Sequence, residues 1–303
     1  GIATVTYNSE KHIHLFVQSL LRNKESIERV VFVDNGSTIN ISEYFKELNG
    51  IVLYDVISNK ENKGYSEAIN QGIQFLERAQ VRRILVTNND LLFKEGSLSV
   101  LLSEMESSNA DVLGIPTTND NHLYSTETWY SSEKESVEHV LLKREDIIER
   151  SKTTSIIPTG YVQGGVILFR DIFFKKIGYY DPFLFFGGDE LDFLLRIHFS
   201  KHKINTSVSL SALDFFDHKT HHDNRFKLLK AKMMVRGIVY VLLKHKFYQN
   251  SGFFLNTISN LLKDLGKKSF KRYSVLAYFF ITANIAALFH LRKTSSDGIL
   301  KEI

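Results

Sequence analysis

Short β-branched runs punctuate the first ninety residues, at positions 2–6, 30–33, 51–57 and 84–87. Between them apolar residues recur at helical spacing, over 11–21, 41–48 and 66–77. This alternation predicts a βαβ-built α/β fold, with a mostly parallel sheet and helices on both faces. The pattern weakens over 117–159, where polar residues dominate. That stretch reads as a long excursion covering a substrate, with short strands around Tyr124 to Tyr130. A strand is predicted at 164–169, a helix at 189–199 and a last strand at 204–210. After Arg225 the spacing turns helical throughout, over 226–245, 252–265 and 268–291.

Sheets of this kind bind ligands beyond the carboxyl ends of their strands. Three polar clusters fall there: Tyr7-Asn8-Ser9, Asp34-Asn35-Gly36-Ser37 and Asn88-Asn89-Asp90. Any one of them is explained by turns and helix caps; three at successive strand ends point to a site. Asp90 ends an apolar strand, where a carboxylate can hold Mg²⁺ or Mn²⁺ together with substrate phosphates. A second cluster, Gly187-Gly188-Asp189-Glu190-Leu191-Asp192, puts acids at a helix N-terminus behind an apolar, glycine-bearing approach. Capping and an Asp192–Arg196 pair account for part of it; two adjacent acids in an apolar setting suit a desolvated base. A third cluster, Asp217-His218-Lys219-Thr220-His221-His222-Asp223, is either a solvated loop or a metal-ligating one.

Several chemistries are excluded. No GxGxxG follows a strand, and neither a GxxxxGK[ST] loop nor a GxSxG elbow is present. With no cysteine there is no disulfide, thiolate metal site or thiol nucleophile. No basic-then-apolar leader opens the sequence, so no signal peptide is expected. The net charge of +4 hides an asymmetry: from Ala212 onward there are 16 Lys and Arg against 6 Asp and Glu, whereas the remainder has 22 against 28. A basic tail behind an acidic body suits an anionic membrane surface or nucleic acid, or is a solvated helical face. Its aromatics lie among aliphatics at helical spacing, so they read as packing and not as base-stacking platforms; no nucleic-acid partner is expected.

The segments VTYNSE, VFVDNGS, ENKGYSEAINQGI, LVTNNDLLF, GGVILFR, IGYYDPFLFFGGDELDFLLR and FFDHKTHH occur in that order between Ile2 and His222. In these the sequence resembles family 2 glycosyltransferases of the GT-A fold, closest to the bacterial rhamnosyltransferase and galactofuranosyltransferase branch. The resemblance implies a GT-A nucleotide-diphospho-sugar transferase domain over 1–222. A basic, apolar helical region follows over 223–303. By the same resemblance, Thr6, Tyr7, Asn8 and Asp34 line the nucleotide pocket. Asn62, Gly64 and Asn70 sit near the nucleotide, and Asn88 and Asn89 adjoin it. Asp90 is the metal ligand, joined by His218 as in some relatives, for a Mg²⁺ or Mn²⁺ cofactor. Glu190 matches the catalytic base, with Asp189 as the alternate. Two departures stand out: Asn-Asn-Asp replaces a DxD-type motif, and the acid pair reads Asp-Glu where the family has Glu-Asp.

The expected activity is an inverting transfer of rhamnose, galactofuranose or a related hexose. The donor is UDP- or dTDP-linked and the acceptor a saccharide, in synthesis of a bacterial surface polysaccharide such as capsule or O-antigen. A non-catalytic nucleotide- or carbohydrate-binding protein on the same fold is the alternative. A nucleotidyltransferase would carry a glycine-rich basic loop where this chain has Tyr7-Asn8-Ser9-Glu10. Residues 273–291 hold no Asp, Glu, Lys or Arg and are flanked by Lys271-Arg272 and Arg292-Lys293. An interfacial helix there would place the enzyme peripherally at the cytoplasmic face of the membrane, near a lipid-linked acceptor. Packing against the catalytic domain, or against a second copy in a homodimer, is the other expectation for this tail.

Overall fold

The computed structural model describes residues 1–115, 149–160, 165–209 and 224–245, plus the short strands within 118–140; in the last helix it describes side chains only from Met233, except Val235. Eight strands form one sheet in the order β10-β12-β5-β11-β4-β1-β2-β3. They are β1 Ile2–Thr6, β2 Arg29–Asp34, β3 Leu53–Ser58, β4 Arg83–Asn88, β5 Val112–Gly114, β10 Ile156–Pro158, β11 Val166–Arg170 and β12 Thr206–Ser209. The block β4-β1-β2-β3 is parallel throughout. Strand β11 runs antiparallel to both β4 and β5, and β10 antiparallel to β12. Two hairpins occupy part of the polar excursion: β6 Thr118–Asn119 with β7 His122–Leu123, and β8 Glu127–Ser131 with β9 Ser136–Val140.

The central strands β1, β2, β4 and β11 read as largely apolar runs because both faces are covered, whereas the edge strand β3 leaves Leu53 and Val56 exposed. Side chains of one strand divide between two cores. Ile2, Val30, Phe32, Leu85, Val166 and Leu168 join the layer under α1 Ile13–Leu21, α2 Ser42–Phe45 and α4 Ser97–Ser108. Ala3, Val31, Val33, Val86, Ile167 and Phe169 face α3 Tyr65–Arg78, α5 Asp171–Ile177 and α6 Asp189–His198. Helix α3 earns its place by its apolar stripe: Ala68, Ile69, Gly72, Ile73 and Leu76 are all buried against the sheet. A third, smaller core joins Leu184 and Leu195 to Tyr240, Val241 and Leu242 of α7 Asn224–Lys244.

The predicted elements of the first half fall where expected within a few residues. Several elements were not predicted, among them β5, β10, α4 and α5. Strand β5 is only three residues long, too short for a period of two to register. Helix α4 does bury Leu98, Leu101 and Met105 at helical spacing, a stripe the sequence reading passed over, whereas α5 has only seven residues. The expected helices over 252–265 and 268–291 lie outside the described residues.

Within the first core, Phe32 stacks on Phe45 with centroids 4.0 Å apart and meets Phe16 edge-on at 6.5 Å. Phe32→Ala should therefore lower unfolding free energy by about 3–5 kcal/mol, read as a shift of the denaturant midpoint.

Candidate active site

The carboxyl ends of β1, β2 and β4 converge, and amide side chains sew their loops together. Thr6 is buried, its hydroxyl donating to the Val33 carbonyl at 3.5 Å. Asn8 adopts φ of 49°, a left-handed conformation that Asn tolerates. Its Oδ1 accepts from the Thr38 amide at 3.0 Å and the Thr38 hydroxyl at 3.1 Å, while its own N–H donates to Ser37 Oγ at 3.0 Å. Asp34 Oδ1 accepts from the Ser37 N–H at 3.2 Å. These bonds fix the loop backbones and leave the Tyr7 ring 47% exposed beside the half-buried Asp34. An exposed aromatic face next to a carboxylate is suited to a base and a ribose.

Asn35 does more than the sequence suggested. Its Nδ2 donates to Asn62 Oδ1 at 3.0 Å and to the Gly64 carbonyl at 3.1 Å. Its Oδ1 accepts from Asn59 Nδ2 and the Lys63 N–H, both at 3.1 Å. Asn62 Oδ1 also takes the Gly64 N–H at 2.9 Å, so Asn62 shapes the entrance to α3. Gly64, at φ +86°, lies against Phe185: a Cβ there would come within 2.7 Å of its ring. The Phe185 carbonyl accepts from the Tyr65 N–H at 3.0 Å, and Ser66 Oγ donates to the Leu184 carbonyl at 2.6 Å. Asn70 exchanges two bonds with the Tyr180 backbone, at 2.7 and 3.0 Å. The head of α3 is thus fastened to the loop that delivers the acids of α6.

At the end of β4 the three residues of the Asn-Asn-Asp motif differ in role. Asn89 is 7% exposed, and its Nδ2 donates to the Val5 carbonyl and Ser9 Oγ, each at 2.9 Å. Its Oδ1 takes a bond from His12 Nε2 at 2.9 Å. This side chain braces β4 against the loop after β1, with both amide hydrogens engaged. Asn88 is exposed, its N–H donating to the Gly165 carbonyl at 2.8 Å, and Asp90 is half-buried. No group of three or more His, Asp or Glu side chains among the described residues could hold a metal. One carboxylate with a neighbouring amide does fit a Mg²⁺ or Mn²⁺ that arrives on substrate phosphates, which uses one or two protein carboxylates. His218 lies outside the described residues.

The acids stand at the first turn of α6, behind Gly188 in a left-handed cap. Burial pushes the carboxyls of both Asp189 and Glu190 upward; Asp192 adds to the shift at Asp189, and Asp189 to that at Glu190. Backbone N–H groups of the helix head oppose this without reversing it. Asp192, one turn on, behaves oppositely. Burial alone would raise it, but the Arg196 guanidinium, a hydrogen bond from His245 and the Lys244 ammonium hold it well below the usual carboxylate range. Arg196 Nε sits 2.8 Å from Oδ2; Lys244 Nζ and His245 Nε2 lie 2.9 and 3.0 Å from Oδ1.

That cluster ties α7 to the site. Lys244 also pairs with Asp181 at 2.8 Å, and Tyr240 donates to the same carboxylate at 2.8 Å. Gly237 of α7 rests on the Gly-Gly turn: a Cβ at Gly237 would stand 2.1 Å from the Gly187 carbonyl oxygen. Lys244, one of the 16 Lys and Arg from Ala212 onward, is part of an internal ion pair. The end of α7 belongs to the same body as the acids. Strand β8 also runs beside α6, so part of the polar excursion reaches the acid-bearing helix.

A model of glycosyl transferase family 2 matches residues 2–173. A hexosyltransferase of low-salt glycan biosynthesis, Agl10 of Haloferax volcanii, is 22% identical over 199 residues, 65% of this chain and 60% of that protein. The chain thus spans well under two thirds of this curated relative. Among solved structures, S. aureus TarS 1-349 in complex with UDP-GlcNAc gives a TM-score of 0.54 at 16% identity, over 80% of this chain and 66% of that one. GalNAc-T7 with UDP, GalNAc and Mn²⁺ gives 0.57 at 17%, over 93% and 57%. The mannosyltransferase PcManGT of Pyrobaculum calidifontis, with GDP-Man and Mn²⁺, gives 0.51 at 12%, over 95% and 86%. At these identities the likeness shows the fold, the GT-A architecture.

Breaking the buried cluster should be expensive. Asp192→Asn leaves the Arg196 and Lys244 cations without their shared carboxylate and is expected to lose about 3–5 kcal/mol of stability. Because the carboxyl is depressed in the fold, its contribution is present above the ordinary carboxylate range and lost as pH falls. The difference in melting temperature between variant and parent should therefore shrink on acidification. Glu190→Gln should do the reverse: with the native carboxyl raised, removing it stabilises the fold at alkaline pH and changes little in acid.

Proposed function

The chain belongs to glycosyl transferase family 2, and from that premise we propose that it is an inverting hexosyltransferase using a nucleoside-diphosphate sugar. One observation carries the reading: two adjacent carboxyls with raised proton affinity stand at the head of α6, whose approach loop is bonded to α3 through Tyr65, Ser66 and Asn70. A base must accept a proton near working pH, and burial gives a carboxyl that capacity. Glu190 takes the proton from an acceptor hydroxyl as its oxygen attacks the anomeric carbon. Asp189 sustains the high proton affinity of Glu190 through its own charge. Tyr7 and Asp34 receive the base and ribose, on a loop framework that Asn8 and Asn35 hold rigid. Asp90 would hold a Mg²⁺ or Mn²⁺, which when bound neutralises charge on the departing diphosphate.

The names of the solved relatives, bound to UDP-GlcNAc, UDP or GDP-Man, support a nucleoside-diphosphate sugar as donor, with UDP and dTDP the first to test. Rhamnose, galactofuranose or a related hexose, passed to a saccharide acceptor of a surface polysaccharide, remains the proposed chemistry. Among the described residues no helix is long and apolar enough to cross a membrane. Peripheral attachment at a cytoplasmic membrane face, or dimerisation, is proposed for the region beyond α7.

Three measurements test this. In thermal shift, UDP or dTDP with Mn²⁺ or Mg²⁺ should raise the melting temperature, EDTA should remove the rise, and Asp90→Ala should abolish the metal-dependent part. The absence of a shift with any nucleoside diphosphate would leave the non-catalytic reading standing. Glu190→Gln should cut transfer at least about 10²-fold while donor binding persists. Asp189→Asn should retain activity and move the acid limb of the kcat/KM profile to lower pH, because Glu190 loses its like-charged neighbour. If Asp189→Asn is dead and Glu190→Gln active, the two roles are exchanged.

A further inference from the structure

The acids of α6 hang on a turn that has little stiffness of its own. Gly187 and Gly188 precede them at φ of +77° and +91°, values glycine reaches without steric cost, and they offer no side chain to pack. Bonds from α3 hold the approach at Leu184 and Phe185. One stripe of α7, formed by Gly237, Tyr240 and Lys244, holds it at the places that flank the acids. Gly237 lies against the turn itself: a Cβ on Gly188 would come within 2.9 Å of the Gly237 carbonyl carbon. Tyr240 reaches the start of the segment, donating to Asp181 Oδ2 at 2.8 Å, with its ring centroid 4.3 Å from that of Phe183. Lys244 reaches both ends. Its ammonium donates to Asp181 Oδ2 at 2.8 Å, ahead of the glycines, and stands 2.9 Å from Asp192 Oδ1, beyond the acids. The lysine side chain is 11% exposed and the two carboxylates 14% and 1%, so water and salt screen these contacts little.

We propose that Lys244 is a positioning residue for Asp189 and Glu190: bonded to Asp181 and Asp192 at once, it closes the segment between them into a loop with fixed ends. The task of the acid pair itself rests on the glycosyltransferase reading of this site. An ammonium carries three donors on a compact head, so one lysine can hold together two carboxylates that would otherwise repel. Each carboxylate has other partners. Without Lys244, Asp192 keeps Arg196 and His245, and Asp181 keeps the Tyr240 hydroxyl. What disappears is the link between the two ends. A base must lie within hydrogen-bond reach of the proton it takes, and a displacement of about 1 Å can cost about 10²-fold in rate. A glycine turn with one end released has the freedom to move that far.

Two variants cut the link from opposite sides. Lys244→Met removes the ammonium and keeps an apolar stem. Asp181→Asn leaves all three partners of Asp192 in place, with an amide oxygen that can still accept from Tyr240. Each is compared with the parent at a temperature where circular dichroism shows it folded. Hydrogen–deuterium exchange is followed over 183–191. Titration calorimetry with Mn²⁺ gives the affinity for UDP and dTDP, and release of UDP or dTDP from the hexose donor that the parent consumes gives kcat. Exchange should quicken in that segment and stay unchanged in β1 and β4. The kcat should fall about tenfold or more in Lys244→Met and at least about threefold in Asp181→Asn, with nucleotide affinity unaltered. Asp181→Asn with the exchange or the kcat of the parent would show that only the neutralisation of Asp192 matters, and would overturn the proposal even if Lys244→Met does not fold. Nucleotide affinity falling in step with kcat would overturn it too, because the site would then be loosened as a whole. A parent that consumes no donor defeats the reading of the site, and the exchange of Asp181→Asn then decides the link by itself.

Discussion

The candidate site depends on one buried carboxylate. Asp192 has no access to water, and a lone charge there would be untenable. Arg196 from its own helix, and Lys244 and His245 from α7, make it tenable. Such a cluster contributes modestly against an apolar replacement, yet it is intolerant of losing a member. Its effect is geometric. It fixes the rotation of α6, and with it the direction in which Asp189 and Glu190 leave the first turn. The cations are spent on Asp192, so they do not quench the two acids above it. One helix thereby holds a carboxylate that stays ionised and two that hold protons readily.

The opposite wall is built from amides. Asn35, Asn62, Asn70 and Asn89 each bond backbone carbonyls, N–H groups or other side chains across loops distant in sequence. A carboxamide both donates and accepts, so it can join two strand ends without adding charge there. The loops are therefore organised before a ligand arrives, which lowers the entropy lost on binding.

Much of this was legible. Continuous β-branched runs gave the parallel block, and the polar clusters lie at the carboxyl ends of β1, β2 and β4. The acid pair was conspicuous in sequence because an apolar, Gly-Gly approach to adjacent acids has no ordinary capping explanation. What stayed hidden were pairings between distant segments. Nothing local distinguishes Asn89, a brace, from Asn88, which is exposed, since their difference lies in Val5, Ser9 and His12. Lys244 looked like one more base on an amphipathic helix because its partners are 52 and 63 residues away.

The reach of these contacts bears on how the protein comes to exist. The bonds joining α3 to the loop before α6 span 110 and 118 residues, and the ion pairs from α7 close a further 50 or more. The parallel block near the amino end can consolidate from neighbouring segments. The acid wall cannot: it takes shape only once the chain as far as His245 is available. Contacts of such range form slowly. During synthesis the parallel block would precede, by some 150 residues, the helix end that fixes the acid pair, so one wall of the candidate site would form well before the other.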